Sequence, residues 1–158
     1  MAIKATDGSF TPEIRGNGLI TENAAGQPED MLTTLKNEGF NSIRLRLWKD
    51  PATARSGFDE VKAFAQEIKA IGLKVWITVH YSDTWADPGT QTKPTARASA
   101  SFAQLKDSVY VYTKKVVSEM NPDFIQIGNE INGGLLWPDG KGNNLAQMKE
   151  LLAQGIGL

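Results

Sequence analysis

Apolar residues recur along the chain with two alternating periods. Met31, Leu32 and Leu35 share one face, as do Val61, Phe64, Ala65, Ile68 and Ile71, and then Phe102, Leu105, Val109, Tyr112 and Val116. Spacings of three and four residues predict helices over about Pro28 to Glu38, Phe58 to Ile71, and onward from about Ser101. Pro28 suits a first helical position, Gly39 and Gly72 suit helix stops, and Ser101 with Gln104 fits a capping box. A last helix is predicted from about Leu145 to Gln154, opening after Asn143-Asn144 and ending near Gly155. Between these lie runs that read as strands: Asn41 to Trp48, Lys74 to Tyr81, Asp123 to Asn129, and a weaker first one from Ile3 to Asp7. The alternation predicts four βα units on a parallel sheet.

Alternate side chains of a strand point to opposite faces, and here the two faces differ. One carries Ile43, Leu45 and Leu47, then Val75, Ile77 and Val79, then Ile125 and Ile127. The other carries Arg44, Arg46 and Trp48, then Trp76, Thr78 and His80, then Gln126, with Glu130 where the run ends. An open sheet with helices on both sides is apolar on both faces, whereas a barrel whose strand ends line a polar pocket has this asymmetry. The expected fold is therefore α/β, a (β/α)8 TIM-barrel type with only the first four βα units in this chain, as one domain over residues 1–158. Four units are too few to close such a barrel, which leaves two sheet edges and the polar face open unless a second half covers them.

Composition narrows the function classes. Across 158 residues, 17 Lys+Arg stand against 18 Asp+Glu, a balance that argues against a nucleic-acid partner. No apolar run approaches the roughly 18 to 20 residues of a membrane span, and Met1 to Asp7 has no signal-peptide core, so no membrane partner is expected. The absence of cysteine removes disulfides, thiol nucleophiles and thiolate metal sites.

The long connections, Lys49 to Gly57, Ser82 to Ala100 and Ile131 to Asn144, all follow strands, where barrel folds keep their function. Glu130 leaves the mouth end of the last strand beside Asn129 and is the leading candidate for general acid/base chemistry; the alternative is a solvated loop carboxylate. Arg44 and Arg46 either pair with carboxylates or pack as structural arginines. His80, the single histidine, suits hydrogen bonding to a substrate or a carboxylate. A metal site from His80, Asp83 and Asp87 lacks a recognised ligand spacing, and no metal or cofactor is expected. Trp48, Trp85 and Trp137 lie at strand ends or on the following loops, where rings stack on the C–H faces of sugars, while Trp76, inside a strand, reads as core. Gly16-Asn17-Gly18 and Gly140-Lys141-Gly142 lack phosphate-loop spacing and read as turns.

Arg44-Leu45-Arg46-Leu47-Trp48, His80-Tyr81-Ser82-Asp83-Thr84-Trp85-Ala86-Asp87-Pro88-Gly89, Ile127-Gly128-Asn129-Glu130-Ile131 and Gly134-Leu135-Leu136-Trp137-Pro138 together resemble glycoside hydrolase family 53, the arabinogalactan endo-β-1,4-galactanases. The resemblance runs from Asp7 to about Gly155 and corresponds to the first half of that family's barrel. It implies retaining endo-hydrolysis of β-1,4-galactan, with Glu130 matching the acid/base and Asn129 the neighbour that binds the 2-hydroxyl. Arg44 matches the second-strand arginine, and His80, Trp48, Trp85, Asp87 and Trp137 the substrate-binding cleft. The nucleophile that follows strand seven in the family has no match here. The family also implies a secreted, periplasmic or cell-surface location. A second reading is a non-catalytic carbohydrate-binding or self-associating half-barrel fragment. The partners expected besides galactan are a second copy of the chain or a missing C-terminal half-barrel.

Overall fold

Four strands lie side by side in chain order and all run parallel in a computed structural model that describes residues 2–157. They are β1 (Ala5–Asp7), β2 (Ser42–Leu47), β3 (Lys74–Val79) and β4 (Phe124–Ile127). The register sets Asp7 beside Arg44, Arg44 beside Trp76, and Thr78 beside both Arg46 and Gln126. The polar residues of each strand thus form rows on one face, as their alternation predicts.

The opposite face is the core. Ile43, Leu45, Leu47, Val75, Ile77 and Val79 are fully or almost fully buried beneath α3 (Phe58–Ala70) and α4 (Phe102–Met120). The buried stripe of α3 is Val61, Phe64, Ala65 and Ile68, and that of α4 includes Leu105, Val109, Tyr112 and Val116. Burying such stripes, at about 25 cal/mol per Å² of apolar surface, is what holds short strands flat against helices. The capping box of α4 forms in both directions: Ser101 Oγ accepts from the Gln104 N–H, and Gln104 Oε1 accepts from the Ser101 N–H at 2.9 Å. The chain closes with a two-stranded hairpin, β5 (Gly134–Leu135) with β6 (Gly140–Lys141), and α5 (Leu145–Ile156).

Five expectations change. A six-residue helix, α1 (Thr11–Gly16), was not signalled by periodicity; it is anchored by Arg15, which pairs with Asp30 at 2.5 Å and Glu67 at 2.7 Å. The next helix, α2 (Met31–Asn37), starts later than expected because Asp30 caps it, accepting from the Leu32 and Thr33 N–H groups, while Pro28 lies in a bridge with Glu22. Gly155 does not end α5. It lies inside the helix, where an added Cβ would fall 2.7 Å from Ile127 Cγ2, so its lack of a side chain is what lets α5 close on β4. Gly140-Lys141 is a strand pairing with Gly134-Leu135 rather than a plain turn. Trp76 is half-buried on the polar face against Phe124, not in the core, because its place in the strand points it away from the helices.

Among the described strands, β1 and β4 each have one neighbour. Ile125 and Ile127 are only partly buried, unlike the equivalent residues of β2 and β3. The architecture is a (β/α)4 portion of a TIM-type barrel. No helix among the described residues is long and apolar enough to cross a membrane.

Candidate active site

The mouth ends of the strands are joined by one polar chain. Arg44 of β2 donates to Asp7 of β1 at 2.6 Å and to Asn129 Oδ1 after β4 at 2.7 Å. The Asn129 amide donates to the Ala86 carbonyl at 2.8 Å, and the Ala86 N–H donates to His80 Nδ1 at 3.1 Å. Asp7, Arg44, His80 and Asn129, from four strands, are thereby fixed relative to one another. A carboxylate paired with a guanidinium and donors is held ionised. Burial pushes the Asp7 carboxyl up, but the Ser9 donors and Arg44 outweigh it and leave it below the ordinary carboxylate range.

His80 is fully buried. Because Nδ1 accepts from a backbone N–H, the proton of the neutral ring sits on Nε2. Burial first, and then the charges of Arg44 and Arg46, push its pKa from 6.5 to about 4. The ring lies edge-on to Trp48 and Trp85, with centroids 6.5 and 5.4 Å away. His80 Nε2 and Trp48 Nε1 are buried donors without a partner among the described residues.

Arg46 does not join the carboxylates. Its guanidinium lies over Phe10, 4.1 Å from the ring centroid, and 5.3 Å from those of Trp48 and Trp85, while Nε donates to Ser56 Oγ. It packs the aromatic wall, the structural alternative for this arginine. Trp85, on the far side of that wall, is 42% exposed.

Glu130 follows directly. Gly128 turns the chain at φ +82°, where a Cβ would meet Ile131 Cγ2 at 2.5 Å, and Glu130 itself is left-handed at φ 46°, ψ 49°. This turn lifts Glu130 out of the strand plane, so that it is exposed and enters none of the ion pairs among the described residues. A free, solvated carboxyl beside a rigid Asn129 can give or take a proton from a ligand.

The remaining candidates sit farther along the loops. Asp87 is held in a turn, accepting from the Gly89 N–H at 2.7 Å and bridging backbone to backbone with Thr90. Trp137 lies beside Thr92, donates from Nε1 to the Gly133 carbonyl at 2.9 Å, and carries Lys141 over its ring. Asp83 accepts from the Asp50 and Thr95 N–H groups, which uses both of its oxygens. Among the described residues no three His, Cys, Asp or Glu side chains gather to hold a metal ion. Sequence reasoning missed Asp7, whose signal was its place at the end of the weak first strand, and Gln91, which has no local signal.

Comparison with known proteins decides the family. The model of glycosyl hydrolase family 53 matches residues 3–157. The chain belongs to glycosyl hydrolase family 53. Over 144 residues it is 40% identical to an uncharacterized protein in the bgaB 5′ region of Niallia circulans, which covers 88% of this chain and 39% of that protein. It is 37% identical over 140 residues to the probable arabinogalactan endo-beta-1,4-galactanase A of Neosartorya fischeri, covering 85% of this chain and 39% of that protein. A solved family 53 catalytic domain from Ignisphaera aggregans superposes with a TM-score of 0.92 at 39% identity, over 98% of this chain and 47% of that one. The chain thus spans about two fifths of the length of the curated relatives it matches and about half of the solved domain.

Proposed function

We propose that this segment carries the acid/base side of a retaining endo-β-1,4-galactanase site, acting on galactan or type I arabinogalactan. The observation that carries the reading is Glu130, an exposed carboxyl outside the ion pairs, set on a strained turn beside Asn129, whose amide is locked by Arg44 and Ala86. The relatives named as galactanases support the substrate class.

In this reading Glu130 protonates the departing glycosidic oxygen and then, as a carboxylate, takes a proton from the water that releases the product. Asn129 meets the sugar's 2-hydroxyl, Trp48, Trp85 and Trp137 supply stacking faces, and Arg44, His80 and Asp87 shape the cleft. A retaining mechanism needs a second carboxylate about 5 to 5.5 Å away. Asp7 is a poor candidate, since Arg44 and the Ser9 N–H occupy it. We place the nucleophile on strands outside residues 1–158, on a second half-barrel that also covers the polar face. A secreted, periplasmic or cell-surface location is what this reading expects of the whole protein.

The test joins residues 3–157 to the C-terminal half of the Neosartorya fischeri relative and measures reducing-sugar release from β-1,4-galactan. Release that falls at least about a hundredfold in Glu130→Gln is expected, the lower end for losing a general acid. Undiminished release in the variant, or cleavage of another β-glycan in place of galactan, overturns the reading.

A further inference from the structure

One fully buried side chain that the strand pattern does not bring to the mouth nevertheless reaches it. Gln91 lies in the connection between β3 and α4. Its Nε2 donates to the carbonyl oxygens of Asn129 at 2.8 Å and Asp87 at 3.1 Å, with the Glu130 carbonyl at 3.4 Å. Three carbonyls around one atom require that atom to be the nitrogen. The Gln91 backbone is itself clamped: its carbonyl accepts from the Trp137 N–H at 2.6 Å, and Lys93, two residues on, pairs with Asp139 at 2.8 Å.

The two carbonyls after β4 flank one Cα. The Asn129 carbonyl belongs to the peptide before Glu130 and sets its φ; the Glu130 carbonyl belongs to the peptide after it and sets its ψ. A single amide that holds both peptide planes therefore fixes where the Glu130 Cα–Cβ bond points. This matters because Glu130 is a non-glycine residue at φ 46°, ψ 49°, a conformation that persists only where its surroundings over-determine it.

We propose that Gln91 is the positioning residue that holds Glu130 in its left-handed backbone and so aims the carboxyl. The proposal rests on the reading of Glu130 as the acid/base and adds a residue that touches neither substrate nor the reacting atoms. Its burial also explains why an amide serves here and a carboxylate does not: a carboxylate oxygen in place of Nε2 would face three carbonyl dipoles without water.

The experiment uses the 158-residue chain, with the Glu130 Cα and Cβ chemical shifts as a signature of its backbone conformation and urea unfolding as a separate measure of global stability. Gln91→Met keeps the length and removes the donor, and is expected to move the Glu130 shifts away from left-handed values. Gln91→Glu is expected to act as a pH-dependent rescue. Its protonated acid donates one O–H to the carbonyls, while burial and the carbonyl dipoles raise its folded pKa above the ordinary glutamate value of about 4.3. The wild-type signature is therefore present below about pH 4 and is lost as pH rises through the raised pKa. The other ionisable groups close by are Asp87 and Glu130 in the same loops and His80 beneath Ala86, and wild type recorded at each pH carries their contribution.

Glu130 shifts that stay at wild-type values in both variants at every pH, with only global stability reduced, overturn the proposal. Should Gln91→Met fail to fold, Gln91→Glu at low pH carries the test alone. No step uses galactan, so failure of the proposed activity would appear separately, as absent sugar release with the Glu130 signature intact.

Discussion

His80 gives the sharpest test of the site's electrostatics, because it is the only histidine in the chain and every imidazole signal belongs to it. The ring is fully buried, accepts at Nδ1 from the Ala86 N–H, and has its pKa pushed from 6.5 to about 4 by burial and by Arg44 and Arg46. In the unfolded chain it titrates near the ordinary value, so below pH 6.5 the unfolded state binds a proton that the folded state refuses. Stability from this group is thus complete above pH 6.5 and is lost as pH falls toward 4. At about 1.36 kcal/mol per unit of difference, the loss between pH 7.5 and pH 5 is about 2 kcal/mol. Carboxylates titrate in the same range, so the quantity to measure is the gap between wild type and His80→Gln in urea unfolding. The gap is expected to narrow by about 2 kcal/mol from pH 7.5 to pH 5, since only wild type pays the proton penalty. Imidazole ¹⁵N spectra should show the proton on Nε2 with no titration down to pH 5. A midpoint near 6.5, a proton on Nδ1, or a gap that does not change with pH would refute the reasoning.

Three further outcomes follow from the geometry. Gly155→Ala adds a Cβ 2.7 to 3.0 Å from three side-chain atoms of Ile127, Cγ2, Cδ1 and Cγ1, so overpacking of about 1–3 kcal/mol outweighs a helix-propensity gain of about 1 kcal/mol; the melting temperature should fall, and a rise contradicts the packing. Arg44→Met leaves Asp7 and Asn129 Oδ1 without their shared donor and should lower stability by about 1–3 kcal/mol in urea while the Asp7 carboxyl titrates higher; unchanged values would show that the link is idle. The 158-residue chain alone should release no reducing sugar from β-1,4-galactan above background, and Glu130-dependent turnover would contradict a nucleophile supplied from elsewhere.

What the sequence makes legible follows the periodicity of its burial. Strand alternation separates Ile43, Leu45 and Leu47 from Arg44 and Arg46, and the register then sets Arg44 where Asp7 and Asn129 meet it. Ser101 and Gln104 announce the start of α4 because both halves of a capping box lie within four residues. By contrast, α1 has six residues and its support, Asp30 and Glu67, lies 15 and 52 positions away. Gly155 misled for a related reason: a glycine near a helix end has the same local pattern whether it stops the helix or lets it approach a strand. The site shows the same division. Asn129 and Glu130 stand at a strand end and are visible as such, whereas Gln91 meets their carbonyls from 38 and 39 residues away in a connection without period. Arg46 could be given no single role from sequence, since the aromatic wall of Phe10, Trp48 and Trp85 that receives it comes from three separate segments.

The central claim, that Glu130 is the acid/base of galactan cleavage, is tested most directly by azide rescue in the completed barrel. An activated aryl β-galactobioside needs no acid to leave, so Glu130→Ala should still form the glycosyl-enzyme, which azide then attacks in the space the carboxyl vacates. Azide is expected to speed turnover and to give a β-galactobiosyl azide product of retained configuration. An α-azide would make Glu130 the nucleophile instead, and no rescue in a folded Glu130→Ala protein whose parent cleaves galactan would remove it from the acid/base role.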